Sequence, residues 1–291
     1  MNYDNIWKAQ MGIEPFLGRL NSATKYPSIL TYHEMGNKGR LTDKVQIPFD
    51  DGEELFVTEK IDGTNTRIIV FPHEKDGTLP HGADYMIGSR EDILHAYSDR
   101  VINEAMGIVR TSLPVARLLL DYYRHDARTK DCVQVYYGEA YGHGIGKNGN
   151  RYTSKGETGF RVFDIAEFVL EELEALLGKE REEISQWRQR GGQEFVGVDR
   201  IRDHAFHVNQ NAVNNLEEDP QLVVVPRLHP LVPIPKTLEA AKEWVSFFGV
   251  YSTAVLDDNA QGMFEGVVVR TKDRKKIAKL RVEDYARTLG K

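Results

Sequence analysis

The sequence is poor in cysteine, in net positive charge and in long apolar runs, and each shortage removes a class of function. Its 291 residues contain one cysteine, Cys132, so no disulfide can form within the chain and no thiolate cluster can hold a metal. No apolar run approaches the roughly 20 residues that span a bilayer. The N-terminus lacks the charged-then-apolar pattern of a signal peptide, so a cytoplasmic location without membrane association is expected. The formal net charge of −6 gives no support to nonspecific attraction of nucleic acid by the whole molecule. Phosphate contacts need only a local patch, and two stretches are candidates, each of which taken alone reads as a solvated surface run. One holds Lys272, Arg274, Lys275, Lys276, Lys279 and Arg281; the other is a loop bearing Lys147, Arg151 and Lys155. Internal repeats and low-complexity tracts are absent. What remains is an ordinary globular composition in a chain long enough to bury a full core.

Strands and helices do not alternate in βαβ fashion, which predicts an α+β fold of mainly antiparallel sheets flanked by helices. Residues 1–25 read as a short amphipathic helix including Trp7, Phe16 and Leu17. Leu55-Phe56-Val57-Thr58 and Thr66-Arg67-Ile68-Ile69-Val70 read as strands on either side of a turn within one sheet. Residues 72–84 read as loop, and residues 92–128 as helix broken at Pro114. A second sheet block follows, with Val133-Gln134-Val135-Tyr136-Tyr137, a glycine-rich loop to about Gly159, and Phe160-Arg161-Val162-Phe163-Asp164-Ile165. Residues 167–190 carry Leu at helical spacing among many charges and read as a surface helix. A short Val strand and several prolines in residues 222–235 precede a helix through Trp244 and Phe248. Strands return at residues 264–271 and 276–282.

The turn between the first two strands reads Lys60-Ile61-Asp62-Gly63-Thr64-Asn65. A lysine, a spacer, an acid and a glycine at a strand end is how enzymes that carry a nucleotide on lysine present the nucleophile. Alone the pattern is weak: composition produces Lys-x-Asp-Gly by chance in roughly one chain of this length in ten or twenty. Its ordinary reading is a tight turn, with Gly63 supplying positive φ and Asp62 and Asn65 as turn formers. Four further segments line up behind it. They are Tyr137-Gly138-Glu139, Phe163-Asp164-Ile165, Glu265-Gly266-Val267-Val268-Val269-Arg270, and Lys279-Leu280-Arg281 followed by Glu283-Asp284-Tyr285. Each sets a polar group at the edge of, or alternating within, an apolar strand. The two-residue period puts Lys279 and Arg281 on one face. Glu139 and Glu265 each stand beside a glycine, where a ligand can approach the backbone. Singly each segment reads as a strand end or a solvated strand face, and Phe163 as core; five in one order do not read as chance.

This order resembles the covalent nucleotidyltransferase superfamily of ATP-dependent DNA and RNA ligases and mRNA capping enzymes, and within it the RNA ligase 2 family. The resemblance runs from about Tyr26 to Tyr285. The Glu59-Lys60 pair, the Gly-Thr-Asn ending and Tyr137-Gly138-Glu139 before a glycine-rich loop carry the likeness to the RNA ligases. Arg90, in Gly88-Ser89-Arg90, falls where such ligases carry a functional arginine. The resemblance implies a nucleotidyltransferase (ATP-grasp-like) domain over residues 51–291, with residues 1–50 as an extension packed on it. It implies ATP and Mg²⁺ (or Mn²⁺) as cofactors, and RNA with 5′-phosphate and 3′-hydroxyl ends as substrate. Lys60 would attack the α-phosphate, leaving AMP on lysine. Lys279 and Arg281 would clamp that phosphate, Glu139 the ribose, and Phe163 would stack on adenine. Arg90 would contact the nucleotide or an RNA 5′-phosphate, and Glu265 would be the metal contact. Glu59, Asp62, Gly63 and Asn65 complete the implied nucleotide site. A free lysine has a pKa near 10.4, so neighbouring cations must favour its neutral form.

The chain departs from the pattern in three places. Asp62 matches DNA ligases, where RNA ligase 2 relatives often carry histidine. The last motif reads Lys-x-Arg in place of Lys-x-Lys, and an arginine at position 281 cannot act in proton transfer. Only residues 286–291 follow the last motif, where relatives carry an OB-fold or helical domain. That argues against a capping enzyme and leaves RNA contacts to the helices in residues 92–128 and 167–190 or to a partner subunit. A minimal DNA ligase is the second reading; a scaffold that binds nucleotide or nucleic acid without turnover is the third. An ATP-grasp relative acting on another substrate, with the lysine as phosphate ligand, is a fourth.

Overall fold

The computed structural model describes residues 13–73, 82–96, 100–101, 107–126, 131–210 and 220–290. Trp7 and most of the expected 72–84 loop lie outside them. The chain divides into two compact units, each assembled from three separate segments.

The first unit comprises Met1–Pro27, Thr64–Ala140 and Gly159–Val224. Its eight-stranded sheet runs in the order Glu194–Phe195, Thr158–Val169, Cys132–Gly142, Thr64–His73, Gly82–Ser89, Ile93–Ala96 and Arg100–Val101, with Val223–Val224 added parallel to Thr158–Val169. Thr64–His73 pairs antiparallel on both sides. Ile68, Ile69 and Val70 on this strand are all fully buried, because both faces of the sheet are covered; a doubly covered strand reads as a continuous apolar run. One face packs against the helix Ile108–His125. The other buries Ile69, Val133, Val135 and Tyr137 against Leu20, Ala23, Leu173 and Ile184 from the helices Ile13–Thr24, Leu170–Leu177 and Arg181–Gln189.

The second unit comprises Ser28–Gly63, Tyr141–Thr158 and Val225–Lys291. Its five-stranded sheet has the order Leu30–Thr31, Ile277–Arg281, Gly266–Thr271, Leu55–Lys60, Arg227–Leu228, beside a ribbon of His33–Met35 and Leu41–Val45. One sheet face buries Val57, Val267, Val269, Ala278 and Leu280 against Ala241, Trp244, Val245 and Tyr285, carried by the helices Leu238–Phe247 and Val282–Leu289. Mixed α+β architecture with antiparallel-rich sheets is therefore observed, as the sequence predicts. No helix among the described residues is long and apolar enough to cross a membrane.

Three local expectations are corrected. The strands flanking the lysine motif are not partners in one sheet: Leu55–Lys60 belongs to the five-stranded sheet and Thr64–His73 to the eight-stranded one. Apolar alternation identifies a strand but says nothing about which strand pairs with it. Residues 92–128 are not helical throughout, because Ile93–Ala96 and Arg100–Val101 are strands, and the helix starts at Ile108 and passes through Pro114 unbroken. Burial of Val109, Val115, Ala116, Leu119 and Leu120 outweighs the one backbone hydrogen bond that proline removes. The surface helix at 167–190 is two helices, separated before Arg181 by a capping box in which Glu180 and Glu183 each accept from the other's backbone N–H.

Candidate active site

In the second unit, strand register decides which side chains share a surface. Lys60 pairs with Gly266, which pairs with Arg281; Thr58 pairs with Val268, which pairs with Lys279. Residues directly opposite across a sheet point to the same face. Lys60, Lys279 and Arg281 therefore stand together on the face away from the Val57–Val267–Leu280 core. All three are partly buried, a middle state that keeps them reachable yet reduces screening by water.

Glu265, next to the lysine's strand partner, closes this surface. Its Oε2 accepts from Lys60 Nζ at 2.6 Å, with side-chain exposures of 26% for the lysine and 14% for the glutamate. Burial raises the Glu265 pKa above the usual carboxylate value, and the neighbouring Lys60 charge offsets part of the rise. Arg281 is held from behind. Its Nε and Nη2 donate to the two carboxylate oxygens of Asp284, both at 2.8 Å, and Nη1 lies 3.1 Å from Glu283. Asp284 is 1% exposed, so the guanidinium is fixed by a fork-to-fork pair.

Glu59 faces the other way. One residue from Lys60, it falls on the opposite face by strand alternation and is 2% exposed. Its carboxylate accepts from the Ser252 hydroxyl, the Thr253 hydroxyl at 2.5 Å and the Thr253 backbone N–H at 3.0 Å. These bonds tie the lysine strand to residues 252–253. Glu59→Ala strands the buried Ser252 hydroxyl and frees two donors of the exposed Thr253, and is expected to cost about 2 kcal/mol of stability, measured as a lowered urea midpoint at unchanged slope. Asp62 is engaged as well: its Oδ2 accepts from Asn148 Nδ2 at 2.5 Å, and its N–H donates to the Tyr152 hydroxyl at 2.9 Å. Gly63 follows in a bend, without the positive φ expected of it.

The other predicted positions lie in the first unit. Asn65 and Glu139 are register partners on adjacent strands and so share a face; Glu139 is partly buried. Phe163 packs edge-on against Tyr26 with ring centroids 5.0 Å apart, and the Tyr26 hydroxyl donates to the buried Asp164 at 2.6 Å. Arg90 is exposed on a turn fixed by Ser89, whose hydroxyl accepts from the N–H groups of Glu91 and Asp92. Beneath that turn lies Arg67, 1% exposed and bonded to Asn21; burial draws its pKa down to about 10.

The glycines beside the two glutamates are filled by protein. A Cβ on Gly138 would fall 2.5 Å from the Phe160 ring, and one on Gly266 would fall 2.0 Å from the Leu280 carbonyl oxygen. Close packing of the chain on itself requires them, where the sequence suggested ligand approach. The basic stretch after residue 271 is also largely spent. Lys276 binds Asp50 and Glu53 at 2.6 and 2.9 Å, and Lys275 binds Asp273 at 2.9 Å. Sequence reasoning missed Asn148, Tyr152, Ser252 and Thr253, and placed Asp284 in the last motif without a role. Only Asp284, three residues after Arg281 at the start of a helix, carried a local signal.

A model of the RNA ligase family matches residues 53–281. The chain belongs to the RNA ligase family. That match spans every motif of the lysine face, from Glu59 to Arg281. Among solved structures the chain is similar to mutants of an RNA ligase from Naegleria gruberi. One with ATP and manganese gives a TM-score of 0.51 at 17% identity, covering 91% of this chain and 62% of that one. Another, without ligand, gives 0.50 at 16%, covering 91% and 61%. At such identity the likeness is one of fold, and this chain spans about three fifths of the length of the RNA ligases it matches. No curated protein sequence matches it.

Proposed function

We propose that this chain is an ATP-dependent RNA ligase of the covalent nucleotidyltransferase type, with residues 51–291 as the adenylyltransferase part. It joins 5′-phosphate to 3′-hydroxyl RNA ends through lysyl-AMP and an adenylylated RNA end. The observation that carries the reading is the Lys60–Glu265 contact of 2.6 Å on a sheet face shared with Lys279 and Arg281, in a chain of the RNA ligase family. The ATP-bound Naegleria structure supports ATP as the nucleotide.

Lys60 gives one proton to Glu265, whose burial makes it a stronger proton acceptor than a solvated carboxylate. The Nζ lone pair then forms a bond to the α-phosphorus of ATP while the bond from that phosphorus to the pyrophosphate oxygen breaks. Pyrophosphate leaves with the electron pair, and the second Nζ proton passes to solvent, leaving a phosphoramidate. Lys279 meets the charge that builds on the α-phosphate oxygens. Arg281, immobilised by Asp284, adds a fixed positive charge and exchanges no proton. Glu139 and Asn65 serve the ribose, Phe163 the base and Arg90 a phosphate. AMP then passes to an RNA 5′-phosphate, and a 3′-hydroxyl displaces it. Lys147 and Lys155, which have no ion-pair partner among the described residues, suit contacts with the RNA backbone.

Among the described residues no three His, Cys, Asp or Glu are grouped to hold a metal ion. Glu265 would hold a Mg²⁺ or Mn²⁺ ion whose other ligands are phosphate oxygens and water; with the ion there, Glu265 would stay ionised and the Lys60 proton would pass to solvent instead. Such an ion supplies positive charge at the phosphate when bound.

The test is incubation with divalent metal and ATP labelled at the α- or the γ-phosphate, followed by denaturing gel and peptide mapping. A covalent α-label on Lys60 and no γ-label is expected; no adduct with any nucleotide overturns the reading. Asp62 favours a second reading, a DNA ligase. Sealing of nicks that carry ribose or deoxyribose at the 3′-hydroxyl separates the two: loss of sealing with deoxyribose is expected, and equal sealing assigns the chain to DNA.

A further inference from the structure

The strand that carries Lys60 ends at Lys60. Residues 61–63 after it have no regular structure, so the sheet fixes the nucleophile's backbone on one side only. Beyond the buried Ile61, the first hydrogen-bonded anchor on the other side is Asp62, and one segment, Tyr141–Thr158, holds it at both ends. The Asp62 N–H donates to the Tyr152 hydroxyl at 2.9 Å, and the carboxylate accepts from Asn148 at 2.5 Å.

The holding segment is itself fixed from several directions. The Tyr152 carbonyl accepts from Leu256 N–H at 2.8 Å, and Asp257 accepts from the neighbouring Thr153 and Ser154. Gly149 packs so tightly on Gly142 that a Cβ there would lie 2.1 Å from its carbonyl oxygen. The Tyr152 ring is 1% exposed and meets Tyr141 edge-on at 5.1 Å. Burial raises the phenol pKa, and the nearby Asp62, Glu59 and Glu265 carboxylates raise it further. The hydroxyl therefore keeps its proton and offers the Asp62 N–H a neutral oxygen.

We infer that Tyr152 is a positioning residue for Lys60, acting through the Asp62 backbone, with Asn148 as its second hold on the same residue. A nucleophile must meet the phosphorus at a defined distance and angle, and a misplacement of about 1 Å costs on the order of 100-fold in rate. A rigid phenol on a pinned segment prevents that drift without touching substrate. The inference rests on Lys60 being the nucleophile, as proposed above.

Tyr152→Phe tests it by deleting one oxygen. Single-turnover transfer of AMP to Lys60 should slow by about 10- to 100-fold with the ATP concentration for half-saturation within about twofold of wild type. The Asp62 amide should exchange with solvent faster, read by hydrogen exchange. Asn148→Ala, at a partly exposed position, should slow the same step and serves if Tyr152→Phe does not fold. Wild-type rates in both variants, or a change confined to half-saturation, overturn the positioning role. An absence of adduct in the wild-type protein would instead sink the nucleotidyl-transfer reading, and the exchange comparison would still report whether Tyr152 anchors Asp62.

Discussion

Lys60→Ala should abolish the covalent AMP adduct and leave the fold intact. The proposed nucleophile is removed outright, and no other lysine among the described residues shares its register position. Lys279 belongs to the strand beyond the Gly266–Thr271 strand and pairs with Val268, two residues away from the Lys60 register. The stability effect is small, about 1 kcal/mol, because a partly exposed ion pair is worth little after screening and Glu265 can take up a proton once its partner is gone. The sign of the pH dependence follows. Burial raises the Glu265 pKa above its ordinary value, and loss of the lysine charge raises it further. A carboxyl whose folded pKa exceeds its unfolded one binds more protons when folded, so its contribution falls as pH rises through that window. The variant's deficit in urea unfolding should therefore be smaller at pH 5 than at pH 8. Labelling of the variant at the wild-type level would mean that another residue carries the nucleotide.

Gly266→Ala should damage the molecule more than any change to the reacting groups. Gly266 has a φ of +152°, a region that L side chains rarely adopt. An added Cβ would lie 2.0 Å from the Leu280 carbonyl oxygen and 2.9 Å from the Arg281 Cα. Both obstacles are backbone of the neighbouring strand, and neither can rotate away. Separating the strands would break the register that joins Lys60, Gly266 and Arg281, so relief of the clash and retention of the active face exclude each other. The expected loss is about 3–5 kcal/mol, a large part of the stability of a typical domain. It should appear as insoluble protein or a collapsed unfolding midpoint. Gly18→Ala is the control, in a helix with open space at its Cβ, and should hold or raise the midpoint. Equal midpoints for Gly266→Ala and wild type would contradict the strand approach.

The sequence made the lysine face legible because its signals are local. The Val-rich strands declare themselves by composition, and two-residue alternation groups Lys279 with Arg281 without knowledge of the fold. The same alternation, applied to Glu59 and Lys60, separates them onto opposite faces, although the resemblance assigns Glu59 to the nucleotide site; its partners Ser252 and Thr253, more than 190 residues away, leave no local trace. Other features were not readable. Asn148 and Tyr152 meet Asp62 across 86 and 90 residues, and no local pattern encodes such a pairing. The helix expected from residue 92 failed because short apolar runs such as Ile93-Leu94 suit either strand or helix, and pairing with Gly82–Ser89 decides between them. Pro114 misled because its penalty is local whereas the burial that overrides it is tertiary. The engagement of Lys276 in the basic stretch was not readable either, because its counterions, Asp50 and Glu53, are more than 220 residues away.

That separation in sequence also has a consequence for when the protein gains its chemistry during synthesis. The lysine strand is sandwiched between strands that start at Arg227 and Gly266. Glu265, its ion-pair partner, is 205 residues further along. Lys60 therefore leaves the ribosome unpaired and without its sheet, and stays so until residues up to 281 have emerged. Strand pairing over such spans is slow, so the five-stranded sheet forms late. A nascent chain halted before residue 265 would carry Lys60 without Glu265, so the proposed chemistry waits for the strands that follow.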